Sequence, residues 1–202
     1  MLIDGSLITL AEFLATLDED TTLVVPTHIT ERLQKGRRHI NVATNSEAPA
    51  YGLNTGLGAN LSHRLAPAEI SDFQRQILEG RATAVGPPLA PKTGRAVLLY
   101  RILSAAKGHS GISPNLFNHL VNCFNIGKVY DIPQYGSIGA GDLTQLATWA
   151  LKLCDTPNTP VLKAKDAMAL INHTGLTIAL AAQAICKAQA TLRMAHHALL
   201  LT

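Results

Sequence analysis

Apolar residues recur at spacings of three and four along most of this chain. Few segments alternate with the period of two that a half-buried strand requires, so the pattern predicts a mainly α fold. Leu10 to Leu17 reads as a helix ended by the acidic Asp18-Glu19-Asp20, and Thr27 to His39 as a second after Pro26. Asn45 to Pro49 is a loop leading to Tyr51, and Gly52, Gly56, Gly58 and the small Ala59 make the next stretch loop as well. Ser71 is placed to cap a helix from Asp72 towards Gly80, and Pro87, Pro88 and Pro91 break the next connection. A helix resumes from Gly94 to Lys107; Pro114 opens another in its first turn, closed by Gly127 near Asn125.

Asp142 and Gln145 have the spacing of a capping box for a helix from Leu143 to Leu153. After a turn at Asp155 to Pro160, Ala164 to Thr202 reads as one helix, which at the usual rise would approach ~55 Å. It is apolar on most of its circumference between Leu176 and Ile185, which suits the middle of a bundle. The chain therefore divides into residues 1–163 and the start of a helical bundle, residues 164–202. With no glycine or proline closing that last helix, it is expected to pack against another chain or to continue in a longer protein.

Composition narrows the function classes. Of the 202 residues, 47% are hydrophobic and only 15% charged, which implies extensive burial, subunit contacts included. A net charge of +3 is too small to imply a nucleic-acid partner, and the basic cluster Arg32 to His39 reads either as a solvated helix face or as a binding patch. Cys123, Cys154 and Cys186 are widely spaced and odd in number, which fits free thiols and a cytoplasmic setting. Eight histidines show no ligand spacing, so no metal is expected. The N-terminus is not a secretory signal. The apolar run Gly175 to Cys186 is too short to cross a bilayer, so no membrane association is expected.

Five segments, in order, carry the sharper signal. They are Tyr51-Gly52-Leu53-Asn54-Thr55-Gly56-Leu57-Gly58; Phe73-Gln74 through Gly86-Pro87-Pro88-Leu89; Lys107-Gly108-His109-Ser110-Gly111 with Pro114; Gly136-Ser137-Ile138-Gly139-Ala140-Gly141-Asp142-Leu143; and Ala169-Leu170-Ile171-Asn172-His173-Thr174. Together they resemble the N-terminal part of the aromatic amino acid ammonia-lyases and aminomutases, the family of histidine and phenylalanine ammonia-lyase. The resemblance implies the family's fumarase/aspartase-like helical fold leading into a long-helix bundle. It implies β-elimination of ammonia from a histidine- or phenylalanine-type α-amino acid, at sites shared among the subunits of an oligomer.

By the same resemblance, Tyr51 is the general base, a role that requires surroundings able to stabilise a phenolate. Asn172 helps to hold the electrophile and its developing charge. Asn54 and the backbone of Gly58 lie near the substrate, and Arg81 stands where the family contacts the substrate side chain. Without the family context, Tyr51 reads as a packing residue and Asn172 as a helix–helix hydrogen bond. Arg81 either favours an anionic group or pairs with Glu79.

The family's electrophile, methylidene-imidazolone, forms from an internal Ala-Ser-Gly. Here Ala140 is bonded directly to Gly141. The nearby Ser137 precedes Ile138, whose β-branched side chain opposes a tight ring closure. No external cofactor and no methylidene-imidazolone are therefore expected at Ala140 and Gly141. Two readings stay open: a lyase acting on a substrate whose amine is already a good leaving group, such as a quaternary ammonium, or an inactive lyase-like subunit that works by association with a homo-oligomeric or complementing chain.

Overall fold

The computed structural model describes residues 1–58 and 62–201; Ala59, predicted as loop, and Thr202, predicted as the last helical residue, lie outside the described residues. The fold is mainly α. Thr9 starts α1, Leu10–Ala15: its hydroxyl accepts from the Glu12 amide (3.2 Å) and the Glu12 carboxylate accepts from the Thr9 amide (2.7 Å). α2, Thr27–Asn45, runs on past His39 because its later turns are held. Arg37 donates to Gly111 O and Ala164 O, and Ile40 lies against Gly111.

A 3-10 turn at Pro67–Glu69 leads into α3, Ile70–Glu79. Ser71 is not its cap; the Glu69 carboxylate instead accepts from the Ala66 amide (2.7 Å). A short ribbon was not foreseen in the proline-rich stretch. β1, Val85–Pro88, pairs antiparallel with β2, Pro133–Tyr135, Val85 opposite Tyr135 and Pro88 opposite Pro133. Pro91 is not a break in the chain but occupies the first turn of α4, Pro91–Ala106, where its missing N–H costs nothing. α5, Pro114–Asn125, α6, Leu143–Cys154, α7, Asp166–Ile171, and α8, Gly175–Leu200, complete the chain.

α4 is the axis of the core. It packs against α2, α5 and α8, while α3 packs on α6 and α7. Leu98, Leu99, Ile102, Leu116, Phe117, Phe124 and Trp149 are fully buried between them. Arg95 enters this core with its guanidinium satisfied by the carbonyls of Leu17, Asp18, Thr21 and Phe124, 3.8 Å over the Phe124 ring.

The predicted single helix over 164–202 is two helices. Lys165 at φ 77° precedes α7, and Asn172, His173 and Thr174 break the chain before α8. At 26 residues, α8 is therefore about 39 Å long. Its start is buried at Leu176, Ala179 and Ala182, whereas Ile185, Leu192, Met194, Leu199 and Leu200 stand exposed. By length and composition alone an 18-residue window within Asp166–Leu200, with a mean hydropathy of 1.4, is apolar enough to cross a bilayer, which the short run seen in the sequence did not suggest.

Asp166 joins three helices. Its buried carboxylate accepts from the Ser113 amide (2.7 Å) and hydroxyl (2.8 Å), where Ser113 caps α5, and from the Lys163 amide (2.8 Å). Arg37 of α2 lies 3.9 Å away. Burial raises the Asp166 pKa against the opposing pull of these donors, and burial lowers that of Arg37. Asp166→Ala removes the acceptor from three donors and leaves a buried guanidinium without its counter-ion, so it is expected to destabilise the fold by about 3 kcal/mol in urea denaturation. Asp166→Asn, neutral and of the same shape, is expected to cost less than half of that.

Candidate active site

The site is built around the turn Gly136–Gly141, between β2 and α6. Gln145, one turn inside α6, holds both sides of it: its Nε2 donates to Pro133 O (2.8 Å) and Gln134 O (2.9 Å), and its Oε1 accepts from the Ser137 amide (3.1 Å). Ser137 closes the turn by donating its hydroxyl to Gly141 O (3.2 Å) and accepting from the Gly139 amide (3.3 Å). Gly139 and Gly141 take φ values of 98° and 105°, open to glycine and strained for other residues. Ile138, 96% exposed, is the tip.

The predicted Asp142–Gln145 capping box does not form, because both side chains have longer-range partners. Asp142, 1% exposed, receives the Thr177 amide on Oδ2 (2.9 Å) and the Thr177 hydroxyl on Oδ1 (2.7 Å). Its own amide donates to His173 O (3.2 Å). The carboxylate thus caps the N-terminus of α8 while its backbone begins α6, placing the positive ends of two helices at this loop. Gly141 is brought against His173, the residue after Asn172: a Cβ added to Gly141 would lie 3.8 Å from His173 O. Asn172 is exposed at the end of α7, with its amide bonded to Met168 O.

His173 was not singled out from the sequence. Its Nδ1 accepts from the Gly175 amide (3.0 Å) and its Nε2–H donates to Leu170 O (2.9 Å), which together require the neutral ring. Burial, reinforced by the buried Arg101, lowers its pKa to about 4. Arg101 is itself pushed down to about 10 by burial, and its Nε and Nη2 have no hydrogen-bond partner.

The Tyr51 loop reaches this region through α7. A Cβ at Gly52 would lie 2.6 Å from Met168 Sδ, one turn before Asn172. Tyr51 is 54% exposed, while the base of its loop is fixed. Asn54, expected beside the substrate, is instead 3% exposed and fully engaged with backbone: its Oδ1 accepts from the Ala50 amide (2.7 Å), and its Nδ2 faces the carbonyls of Ala43, Ser46 and Ala48 at 2.9–3.2 Å. The side chain stiffens the loop that carries Tyr51. Gly58 is exposed at φ 57° with open space around it.

Arg81 does not pair with Glu79. Glu79 is taken by Arg75 (2.8 Å), and Arg81 donates to Ile77 O (3.2 Å) at the end of α3. The segment after Arg81 runs beside the turn: a Cβ at Gly136 would lie 3.0 Å from that of Ala84. Among the described residues no cluster of three or more His, Cys, Asp or Glu side chains is placed to hold a metal. Ala140 is bonded to Gly141, and the one serine in the turn is committed to closing it.

A helical scaffold that presents a glycine-rich turn, an asparagine at a helix elbow and a tyrosine on a separate loop defines the N-terminal part of an ammonia-lyase-type fold. The family described as aromatic amino acid lyase matches residues 8–202. Histidine ammonia-lyase of Symbiobacterium thermophilum is 30% identical over 219 residues, covering 98% of this chain and 43% of that protein. That of Aromatoleum aromaticum is 34% identical over 200 residues, covering 86% and 37%. Among solved structures, histidine ammonia-lyase from Trypanosoma cruzi aligns with a TM-score of 0.82 at 26% identity, covering 96% of this chain and 41% of that one. The ergothioneine-degrading enzyme ergothionase from Treponema denticola aligns with a TM-score of 0.82 at 25% identity, covering 90% and 41%. The chain belongs to the aromatic amino acid lyase family. It spans about two fifths of the length of these curated relatives.

The His173 elbow predicts a pH dependence of stability. Between about pH 6.5 and 4 the unfolded chain protonates this histidine while the folded chain does not, so stability falls as pH falls through that window. The loss is on the order of 1–3 kcal/mol. His119, whose pKa burial also lowers, adds in the same direction. Comparing urea midpoints at pH 7 and pH 4.5, His173→Gln is expected to show a smaller drop than the unsubstituted protein; equal drops would remove His173 from the account.

Proposed function

We propose that this protein is a carbon–nitrogen lyase that eliminates an amine from a histidine-type α-amino acid without making its own methylidene-imidazolone, and that its substrate carries a quaternary nitrogen. The observation that carries the reading is the direct bond from Ala140 to Gly141 inside an otherwise retained site pattern of Tyr51, Gly141 and Asn172. Expelling ammonia from a primary amine needs activation of a poor leaving group. A quaternary ammonium leaves as a neutral tertiary amine and needs no electrophile. Ergothioneine, the compound degraded by one structural neighbour, is a trimethylammonium amino acid of this kind.

In this reading Tyr51, as its phenolate, takes the β-proton, the electron pair of the C–H bond forms the Cα–Cβ double bond, and the C–N bond pair leaves with the amine. The products are an α,β-unsaturated carboxylate and a tertiary amine, and the proton on Tyr51 returns to water. Tyr51 stands exposed on a loop that Asn54 stiffens, so its hydroxyl is available to a ligand. The N-terminus of α8 is already capped by the Asp142 carboxylate, and that of α6, which has no side-chain cap, favours a ligand carboxylate near the turn. Arg81 and the backbone of Gly58 complete the proposed substrate-facing set. Asn172 would orient the substrate, there being no electrophile for it to hold.

Assembly belongs to the same proposal. The exposed apolar residues of α8 support association with further copies or with a complementing chain that completes the site. Three free cysteines support a reducing, cytosolic setting. A second reading, an inactive lyase-like subunit, draws on the missing serine together with the same uncovered face of α8.

Turnover assays on histidine, phenylalanine and tyrosine, and on their trimethylammonium derivatives, separate these readings. The lyase reading expects elimination from a trimethylammonium substrate only, with Tyr51→Phe lowering kcat at least ~100-fold. Comparable turnover of the primary amines would contradict the absence of an electrophile, and no turnover of any substrate would favour the inactive subunit.

A further inference from the structure

We propose a second ligand site, for a small phosphate-bearing anion, in the cleft between α2 and the turn that joins α4 to α5. The cleft has a volume of about 610 Å³, within the size range of small-molecule sites. Arg32, Lys35 and His39 line it from one face of α2, spaced by three and four residues, and Lys107 and His109 line it from the turn opposite. It shares no lining residue with the Gly136–Gly141 site.

The convergence is imposed by two glycines in contact. A Cβ at Gly36 would lie 2.6 Å from Gly108 O, and a Cβ at Gly108, where φ is 82°, would lie 2.7 Å from Arg32 Cγ. With hydrogen at both positions the Lys107-Gly108-His109 turn seats directly on α2, which brings its two basic side chains beside the three on the helix. Arg32 is further oriented by donating one Nη1 hydrogen to Ala106 O (3.2 Å), which leaves the rest of its planar fork for a ligand.

Among the described residues no carboxylate forms an ion pair with a basic group of this cleft; the ion pairs are Arg37–Asp166, Arg75–Glu79, Arg75–Asp155 and Lys152–Asp131. Asp4, the acidic residue beside the cleft-lining Gly5, accepts the Ser6 amide with its carboxylate. Like charges gathered into a concavity repel one another, and a bound multivalent anion removes that repulsion. A solvated helix face accounts for basic residues on α2 alone. It does not account for two more arriving from another element across a cleft. The arrangement is concave and local rather than a stripe, which fits a compact phosphate or diphosphate better than an extended nucleic acid.

The test is calorimetric titration of the full-length protein with inorganic phosphate, pyrophosphate and ADP at constant ionic strength. The expected result is saturable binding, with pyrophosphate or ADP tighter than phosphate. Tighter ADP than pyrophosphate identifies a nucleotide as the occupant, and the reverse identifies a free diphosphate. Lys35→Gln/Lys107→Gln replaces two exposed side chains that make no hydrogen bond among the described residues; it should weaken binding at least tenfold and leave the urea midpoint unchanged or raised. Amide NMR signals of Gly36 and Gly108 should shift on titration. No saturable binding of any of the three, or unchanged affinity in the double variant, overturns the site. So does tighter binding of a short RNA than of pyrophosphate.

Discussion

The carboxylate of Asp142, closed on Thr177, is the contact on which the site depends. One residue ends the glycine-rich turn, begins α6 with its backbone and caps α8 with its side chain. Because Asp142 also donates its amide to His173 O, the turn and the α7–α8 elbow are fixed to each other from both sides. Two segments far apart in sequence thereby share one wall. A capping carboxylate at the positive end of a helix stabilises that end electrostatically as well as by hydrogen bonding. In this chain it also fixes Gly141 beside His173.

Much of this architecture was legible from residue spacing. Pro114 and Gly127 bracket α5 because proline is suited to a first helical turn and glycine to the positive φ just past a last one. The family motifs located the turn and the Tyr51 loop, and picked out Asn172 without the elbow it sits on. What could not be read was side-chain commitment over long range. Asp142 and Gln145 have the spacing of a capping box, yet better-placed donors and acceptors come from α8 and β2. The break at Asn172-His173-Thr174 was invisible because none of the three is glycine or proline. It is made instead by an imidazole that bonds the backbone on both sides. Asn54 misled in the opposite sense: its place in a site motif suggested substrate contact, whereas its bonds hold the loop together.

Alteration of the family pattern is confined to a small region. Gln145, Ser137 and Asp142 hold the turn on each side of the point where a serine is missing, so the absence does not leave a collapsed loop. Under the proposed function, the family scaffold keeps its tyrosine and asparagine without one electrophile-forming residue. A substrate with a better leaving group is the simplest chemistry that uses such a scaffold. The basic cleft at Gly36 and Gly108 is built by a separate device, close backbone contact at glycine, and does not draw on the Asp142 junction.

The central claim is that catalysis proceeds here without an internally formed electrophile. Intact-mass spectrometry of the purified full-length protein, together with its near-ultraviolet absorbance, tests it directly. The account predicts the mass of the unmodified sequence and no absorbance beyond that of the aromatic side chains. A mass short by two waters, accompanied by the absorbance of a conjugated ring that maps to the peptide containing Ala140 and Gly141, would contradict it.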